Sequence, residues 1–206
     1  MADLSLFEDN DIKGLNELSD LYYKESEFKN IILANGELRE KEFYKCRFTS
    51  CNFFKTKFIQ CDFEACTFAS CDLSLASVKS SKFLSAYFKD SKTVAVDWRE
   101  IRKPSTFKFV NSKIDNSIFY KMDLRSINII NSSAQNVDFA EADLSKAVFA
   151  NTNLAGSKFS FTNLAYADFS EAFNYNINPK DNKLKQTVFS MPDAVSLLSS
   201  FDIIIK

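Results

Sequence analysis

All five cysteines of this 206-residue chain lie within residues 46–75, at intervals of five residues or a multiple of five. They are Cys46, Cys51, Cys61, Cys66 and Cys71. Cysteines at such regular spacing can bind zinc, form disulfides, or fill a core as small apolar side chains. The choice between these depends on where a five-residue spacing places the side chains.

The composition removes several classes of function. The chain has no histidine, which excludes Ser-His-Asp and Cys-His catalysis, histidine metal ligands and imidazole acid–base chemistry. No phosphate-binding loop or catalytic constellation is present. Basic and acidic residues nearly balance, 26 against 27, so there is no polybasic arm for nucleic acid. We expect a protein that is not an enzyme, uses no cofactor or metal, and does not bind nucleic acid directly.

The N-terminal sequence and the hydropathy pattern predict where in the cell the protein is located. The first residues, MADLSLFEDND, lack the basic region of a signal peptide, and no apolar run approaches the ~20 residues of a membrane span. We therefore expect a cytoplasmic protein without a membrane segment, in a compartment where free thiols are the norm.

A five-residue repeat dominates the chain. From Tyr23 to Trp98 every fifth residue is usually large and apolar, most often Phe or Leu, and after a slip of one residue the series resumes from Phe109 to Phe169. The position two residues before each of these central residues is usually small, and this column holds all five cysteines. Positions two apart face the same side of a short extended segment, so both columns can point inward. A short strand and a corner, repeated, predict a solenoid of stacked parallel strands.

This placement bears directly on the cysteines. Thiols that enter an axis filled by Phe from different sides do not converge on one zinc ion. Cys46 and Cys66, like Cys51 and Cys71, would lie one coil apart at ~4.8 Å, but side chains stacked in parallel rarely have disulfide geometry. We interpret the cysteines as buried free thiols.

The stretch ADLSKAVFANTNLAGSKFSFTNLAYADFS (142–170) resembles the A(D/N)LxX motif of the pentapeptide repeat protein family. This resemblance implies an all-β fold, a right-handed quadrilateral parallel β-helix with about twenty residues per coil and here roughly seven coils. The chain outside the repeat predicts a short C-terminal helix and strand. The predicted segments are an N-terminal cap (1–20), the first part of the β-helix (21–98), a loop or register break (99–108), the second part of the β-helix (109–173), and a C-terminal capping or dimerisation helix and strand (174–206).

The break lies within WREIRKPSTFKF (98–109), which concentrates basic residues around a proline. It is either a corner with one extra residue or a small projecting loop, and binding residues concentrate in such loops. The candidate partner-contact residues are Arg99, Glu100, Arg102, Lys103 and Lys108.

Two departures from the pattern yield further expectations. Lys41 falls in the small inward column, where we expect a local distortion because a buried unpaired ammonium is very costly. Phe54 and Val94 fall on one outward face, which is either a contact surface or is covered by residues 1–20.

The C-terminal segment has the pattern of a capped helix. Ser190 precedes Pro192, apolar residues follow at helical spacing, and DIIIK has the pattern of a final strand. Such a segment can cap the apolar end of the solenoid or pair with a second copy. The candidate dimer-interface residues are Leu197, Leu198, Phe201, Ile203, Ile204 and Ile205.

Two stretches narrow the resemblance. NKLKQTVFSMPDAVSLLSSFDIIIK (182–206) is similar to the ends of pentapeptide repeat proteins that give immunity to gyrase poisons, the albicidin-immunity and microcin-immunity groups and, more loosely, the Qnr-like group. CDLSLASVKSSKFLSAYFKDSKTVAVDW (71–98) is similar to the corresponding stretch of the albicidin-immunity group. The resemblance implies a non-catalytic homodimer, joined through its C-termini, that imitates a DNA duplex and binds a type II topoisomerase, DNA gyrase. The alternative is a general interaction scaffold with a different partner, since a fold alone does not define function.

Aspartate recurs directly before the central position of the repeat. Because such side chains bond to nearby backbone, we expect these residues to support the fold. They are Asp62, Asp72, Asp97, Asp123, Asp138, Asp143 and Asp168.

Overall fold

The computed structural model describes residues 20–201 and residue 203. These residues form a right-handed, four-sided solenoid of about eight turns in which all strand pairs are parallel, so the predicted fold class is confirmed. The predicted N-terminal cap, apart from Asp20, and residues 202 and 204–206 of the predicted final strand lie outside the described residues.

The corners explain how the repeat can be wound with so few glycines. From Glu25 to Ala95 every fifth residue is left-handed, with φ between 51° and 58°. This conformation costs a non-glycine residue roughly 1–2 kcal/mol. The N–H of most of these corner residues donates to a carbonyl of the next coil, as from Glu25 to Tyr44 at 2.9 Å. Stacking therefore offsets the cost of each corner.

Gly156 is the glycine among the described corner residues, with φ of +71°. A Cβ at this position would lie 2.3 Å from Oδ1 of Asn136, which occupies the same corner one coil earlier. Glycine is required here by the close approach of this amide as well as by the backbone conformation.

The strands lie on four faces, named in chain order. The first face carries the sheet β1 (Tyr22–Lys24), β4 (Glu42–Tyr44), β7 (Asp62–Glu64) and β9 (Lys82–Leu84). The second face carries the sheet β2 (Glu27–Lys29), β5 (Arg47–Thr49), β8 (Thr67–Ala69), β10 (Ala86–Lys89), β11 (Phe107–Val110) and β12 (Asn128–Ile130), and then the pair β13 (Asp168–Phe169) and β14 (Val188–Phe189). The third face is stacked through isolated bridges, from Ile32–Asn52 to Asn153–Phe173. The fourth face begins with the pair β3 (Glu37–Arg39) and β6 (Lys57–Ile59).

The register shifts once. Phe48 pairs with Phe68, 20 residues later, whereas Phe88 pairs with Phe109, 21 residues later. From Phe109 to Ile129 the offset is again 20. One extra residue is thus absorbed between β10 and β11.

Stacked aromatic rings fill the axis along the second face. The rings of Phe48, Phe68, Phe88 and Phe109 follow one another at centroid distances of 4.9, 5.0 and 5.0 Å, and their planes are nearly parallel. All four side chains are fully buried. Each such pair adds about 0.5–1.5 kcal/mol beyond the burial of apolar area.

The small inward column also supplies hydrogen-bond donors. The hydroxyls of Thr56, Ser91 and Thr152 donate to carbonyls of the preceding coil at 2.7, 3.0 and 2.7 Å. The thiols of the cysteines make the same contact at 3.3–3.5 Å, as from Cys61 to Leu38. The column accommodates mostly small side chains, and the hydroxyls and thiols among them add hydrogen bonds between coils.

The distortion expected at Lys41 is wrong. Strand β4 begins at the next residue and stacks in register between β1 and β7. Lys41 is 7% exposed, and its Nζ donates to the carbonyl of Asp20 at 2.8 Å. The long aliphatic stem lets the ammonium reach this acceptor beside the first coil, so its polar group is satisfied without bending the strand.

A comparison of Thr93 with Thr152, which lies in the small inward column, tests how much a hydrogen bond made by a buried hydroxyl adds to stability. The hydroxyl of Thr93 occupies a central position and is buried without a partner. Thr93→Val should therefore raise the free energy of unfolding by about 1 kcal/mol, because it removes an unsatisfied polar atom at nearly constant volume. Thr152→Val should lower it by a similar amount, because it deletes the bond to Ile129. Urea unfolding of the two variants gives the comparison, and equal destabilisation would contradict it.

Candidate interaction surfaces

The register break is a compact bulge bonded to the preceding coil. It begins with a 3₁₀ turn, Trp98–Glu100. The N–H of Arg102 then donates to the carbonyl of Ser81 at 2.7 Å, and the N–H of Thr106 donates to that of Phe83 at 2.9 Å. The segment is therefore held against the solenoid on both sides of Pro104.

Two of the candidate arginines in the break are already paired. Arg99 donates twice to the carboxylate of Asp97, at 2.9 and 2.6 Å, and these bonds lower the pKa of Asp97. Arg102 bonds to the carboxylate of Asp62 and to the carbonyl of Ser80. Both pairs are exposed, so they add little stability but fix the direction of the side chains.

The five candidate contact residues do not form one cluster. Glu100 follows Arg99 on the fourth face, and Lys108 lies in β11 on the second face with its Nζ 5.4 Å from the ring centroid of Tyr87. Lys103 lies at the first face, where it makes no ion pair with a described residue. A broad contact at the break could include these residues, but a single small ligand would not reach all of them.

Sequence reasoning missed a groove on the C-terminal side of the bulge. The groove encloses about 1000 Å³ between the bulge and the following coil. Its lining includes Ile101, Phe107, Met122, Leu124 and Ile127, which are largely shielded from solvent. The sequence feature that could have predicted this groove is Pro104. It stands five residues before Phe109, where the second series would place a large apolar side chain if it extended one unit further back.

The C-terminal end of the solenoid exposes apolar side chains. Strand β14 stacks on β13, and the 3₁₀ helix Asp193–Phe201 follows. Of the candidate interface residues, Leu197 packs against the core, whereas Leu198, Phe201 and Ile203 are 40%, 46% and 55% exposed. Ile204 and Ile205 lie outside the described residues.

The outward apolar residues of the third face are only partly exposed. Phe54 and Val94 are half-buried, and Leu75 beside them is 46% exposed. The Nζ of Lys55 lies 5.2 Å from the ring centroid of Phe54. The surface is therefore a small mixed patch.

The cysteines are free and buried. The thiol of Cys66 interacts with that of Cys46 one coil away and is buried, and together these raise the pKa of Cys66 well above its usual range. The same arrangement raises the pKa of Cys71 beside Cys51. Within residues 20–201 and 203, no cluster of three or more Cys, Asp or Glu is placed to hold a metal ion.

The recurrent aspartates are tied to the local backbone or to arginine. Asp62, Asp97 and Asp123 pair with arginines. The other four accept from the N–H two residues later, at 2.9 or 3.0 Å: Asp72, Asp138, Asp143 and Asp168. These four lie on the third, fourth, first and second faces in turn. They therefore form no row of negative charge along the solenoid.

The geometry defines a parallel β-solenoid built from five-residue units. The family described as pentapeptide repeats matches residues 46–83, 123–160 and 142–173, and this chain belongs to that family. No curated protein matches the chain significantly. No helix in the described part of the chain is long and apolar enough to cross a membrane.

Solved structures of low sequence identity share the fold. HetL, a pentapeptide repeat protein involved in heterocyst differentiation regulation from the cyanobacterium Nostoc sp. strain PCC 7120, is 16% identical, with 83% of this chain and 87% of that chain covered and a TM-score of 0.67. QnrB1, a plasmid-mediated fluoroquinolone resistance protein, is 18% identical in its trypsin-treated M102R form, with 90% and 91% covered and a TM-score of 0.48. At these identities the HetL comparison shows the fold alone.

The burial of the thiols gives a direct prediction. In the folded protein at pH 8, a soluble disulfide reagent should modify none of the five cysteines, because all five are buried and the reagent cannot reach them. After unfolding in denaturant all five should react. Rapid modification of any thiol before unfolding would contradict the packing of the inward column.

Proposed function

We propose that this pentapeptide repeat scaffold acts as a non-catalytic homodimer that binds a type II topoisomerase, DNA gyrase, and protects it from a gyrase-targeting toxin or antibiotic. The proposal rests on the sequence and the exposed apolar residues of the C-terminal end. Its sequence resembles the ends of gyrase-poison immunity proteins, and its Leu198, Phe201 and Ile203 are exposed. Contact alone would suffice, by displacing DNA or by destabilising the complex of drug, DNA and enzyme.

The C-terminal end is suited to a two-fold interface. Val188 and Met191 add to its exposed apolar surface, at 50% and 74% exposure. Several exposed apolar side chains near one end of the solenoid are typical of an interface, and a two-fold contact places the same residues on both partners. Pairing through this end would leave all four faces of each solenoid open to gyrase.

Imitation of DNA by this protein would depend on shape more than on a row of charges. Phosphate charge dominates recognition of a duplex, so a charge mimic would bind less tightly as salt rises. The four recurrent aspartates without an arginine lie on four different faces. We therefore expect binding to gyrase that changes little between 50 and about 200 mM salt.

A scaffold for a different protein is the second candidate. The partly exposed Phe54 and Val94 and the mixed charges of the faces would suit an ordinary protein contact. This candidate predicts normal oligomeric behaviour but no effect on gyrase.

Gyrase supercoiling measured with albicidin, microcin or a fluoroquinolone present tests the proposal. The protein should preserve supercoiling against at least one of the three. Leu198→Glu combined with Phe201→Glu should give a monomer by light scattering and should lose protection. Phe161→Glu is the matched control, because Phe161 is 71% exposed at a corner of the solenoid. This variant should keep both properties.

Two results would contradict the proposal. The first is no protection and no gyrase binding with all three poisons. The second is full protection by the monomeric double variant, which would show that protection does not require the dimer.

A further inference from the structure

On the first face, each coil meets the preceding one through a fixed set of backbone bonds. The N–H of Asp143 donates to the carbonyl of Met122 at 2.9 Å, and the carbonyl of Asp143 accepts from Leu124 at 2.8 Å. The carbonyl of Ser145 accepts from Ser126 at 2.9 Å. One donor and two acceptors per coil thus point toward the N-terminal side.

At residues 123–125 this set has no partner. Pro104, at the position that would donate to the carbonyl of Asp123, has no N–H. Thr106, which would donate to the carbonyl of Arg125, donates to Phe83 instead. Among the described residues, the N–H and carbonyl of Asp123 and the carbonyl of Arg125 therefore lack backbone partners.

These three groups lie along the groove next to the bulge. They have the arrangement of a free strand edge, which readily pairs with another extended chain. Below them the groove is apolar, with Phe107 and Leu124 among its lining residues. An extended segment of about five residues would satisfy the polar groups and cover the apolar floor together.

The rim of the groove is positive. Lys103, Arg125 and Lys146 line it with a single carboxylate, that of Asp123, which pairs with Arg125. Lys103 and Lys146 form no ion pair with a described residue. Lys103 also acts electrostatically on Asp123, but three cations against one carboxylate leave the rim with a net positive charge, which favours a segment with carboxylate side chains.

We propose that this groove binds an extended, acidic segment of a partner protein, which adds a parallel strand where the solenoid ladder is interrupted. One residue of the segment would donate its N–H to the carbonyl of Asp123. The residue two positions later would donate to the carbonyl of Arg125, and the carbonyl two positions earlier would accept from the N–H of Asp123. Apolar side chains between the acidic ones would lie over Leu124. The proposal does not depend on the identity of the partner or on gyrase binding.

A synthetic peptide, acetyl-Glu-Val-Asp-Val-Glu-Ala-amide, tests this groove with the full-length protein. Calorimetry or NMR titration should show binding below about 1 mM, with slower exchange of the Asp123 amide in the complex. A peptide N-methylated at alternate residues should bind at least tenfold more weakly, because it keeps the side chains but loses the backbone donors. The peptide with Lys in place of each acid should not bind.

Protein variants separate the rim charges from the general charge of the protein. Lys103→Glu combined with Lys146→Glu should weaken binding of the acidic peptide about tenfold or more. Lys158→Glu is the matched control, because Lys158 is an exposed lysine on the fourth face and should leave binding unchanged.

Several outcomes would overturn the proposal. These are no binding at about 1 mM, equal binding of the N-methylated peptide, or no effect of the lysine double variant. A change in oligomeric state caused by the lysine double variant would assign the groove to a second copy of this chain. Tighter binding of the peptide after deletion of residues 1–19 would assign it to the chain's own N-terminal segment.

Discussion

The hydrogen bond from the left-handed corners to the next coil is the constraint on which this structure depends. A corner such as Ser126 adopts a costly backbone conformation, and its N–H is satisfied by the carbonyl of Ser145 at 2.9 Å. The corner and the stack therefore stabilise each other, and neither would form in an isolated coil. Between Ala95 and Asn111 no described residue has this conformation, and in this interval the register shifts and the groove opens.

The periodic part of the fold could be predicted from the sequence because the same packing problem is solved in every coil. A large apolar residue such as Phe68 reveals the axis, and a small residue such as Cys66 reveals the column beside it. The distortion predicted at Lys41 is wrong because its long side chain stays in the inward column while the ammonium bonds to the carbonyl of Asp20 beside the first coil. The geometry of the break could not be predicted, since it depends on which carbonyl Thr106 bonds to once Pro104 removes a donor.

The interior carries little information about function in a protein of this kind. The cysteines and phenylalanines form the axis, and the recurrent aspartates such as Asp143 bond to their own backbone. What distinguishes this chain lies where the repeat stops or is interrupted. The apolar C-terminal end supports self-association, and the open strand edge at residues 123–125 supports a contact with another protein. Both proposals place function at incomplete ladders.

Native-state hydrogen exchange tests the central claim, which is that a coil-to-coil ladder holds the solenoid and is interrupted at the register break. In the free protein, the amides of Asp143 and Ser126 should exchange slowly, because both donate across coils. The amide of Asp123, in the same column, should exchange at nearly the rate of an unprotected peptide. Equal protection of Asp123 and Asp143 would contradict the account, because it would mean that the ladder continues through the break.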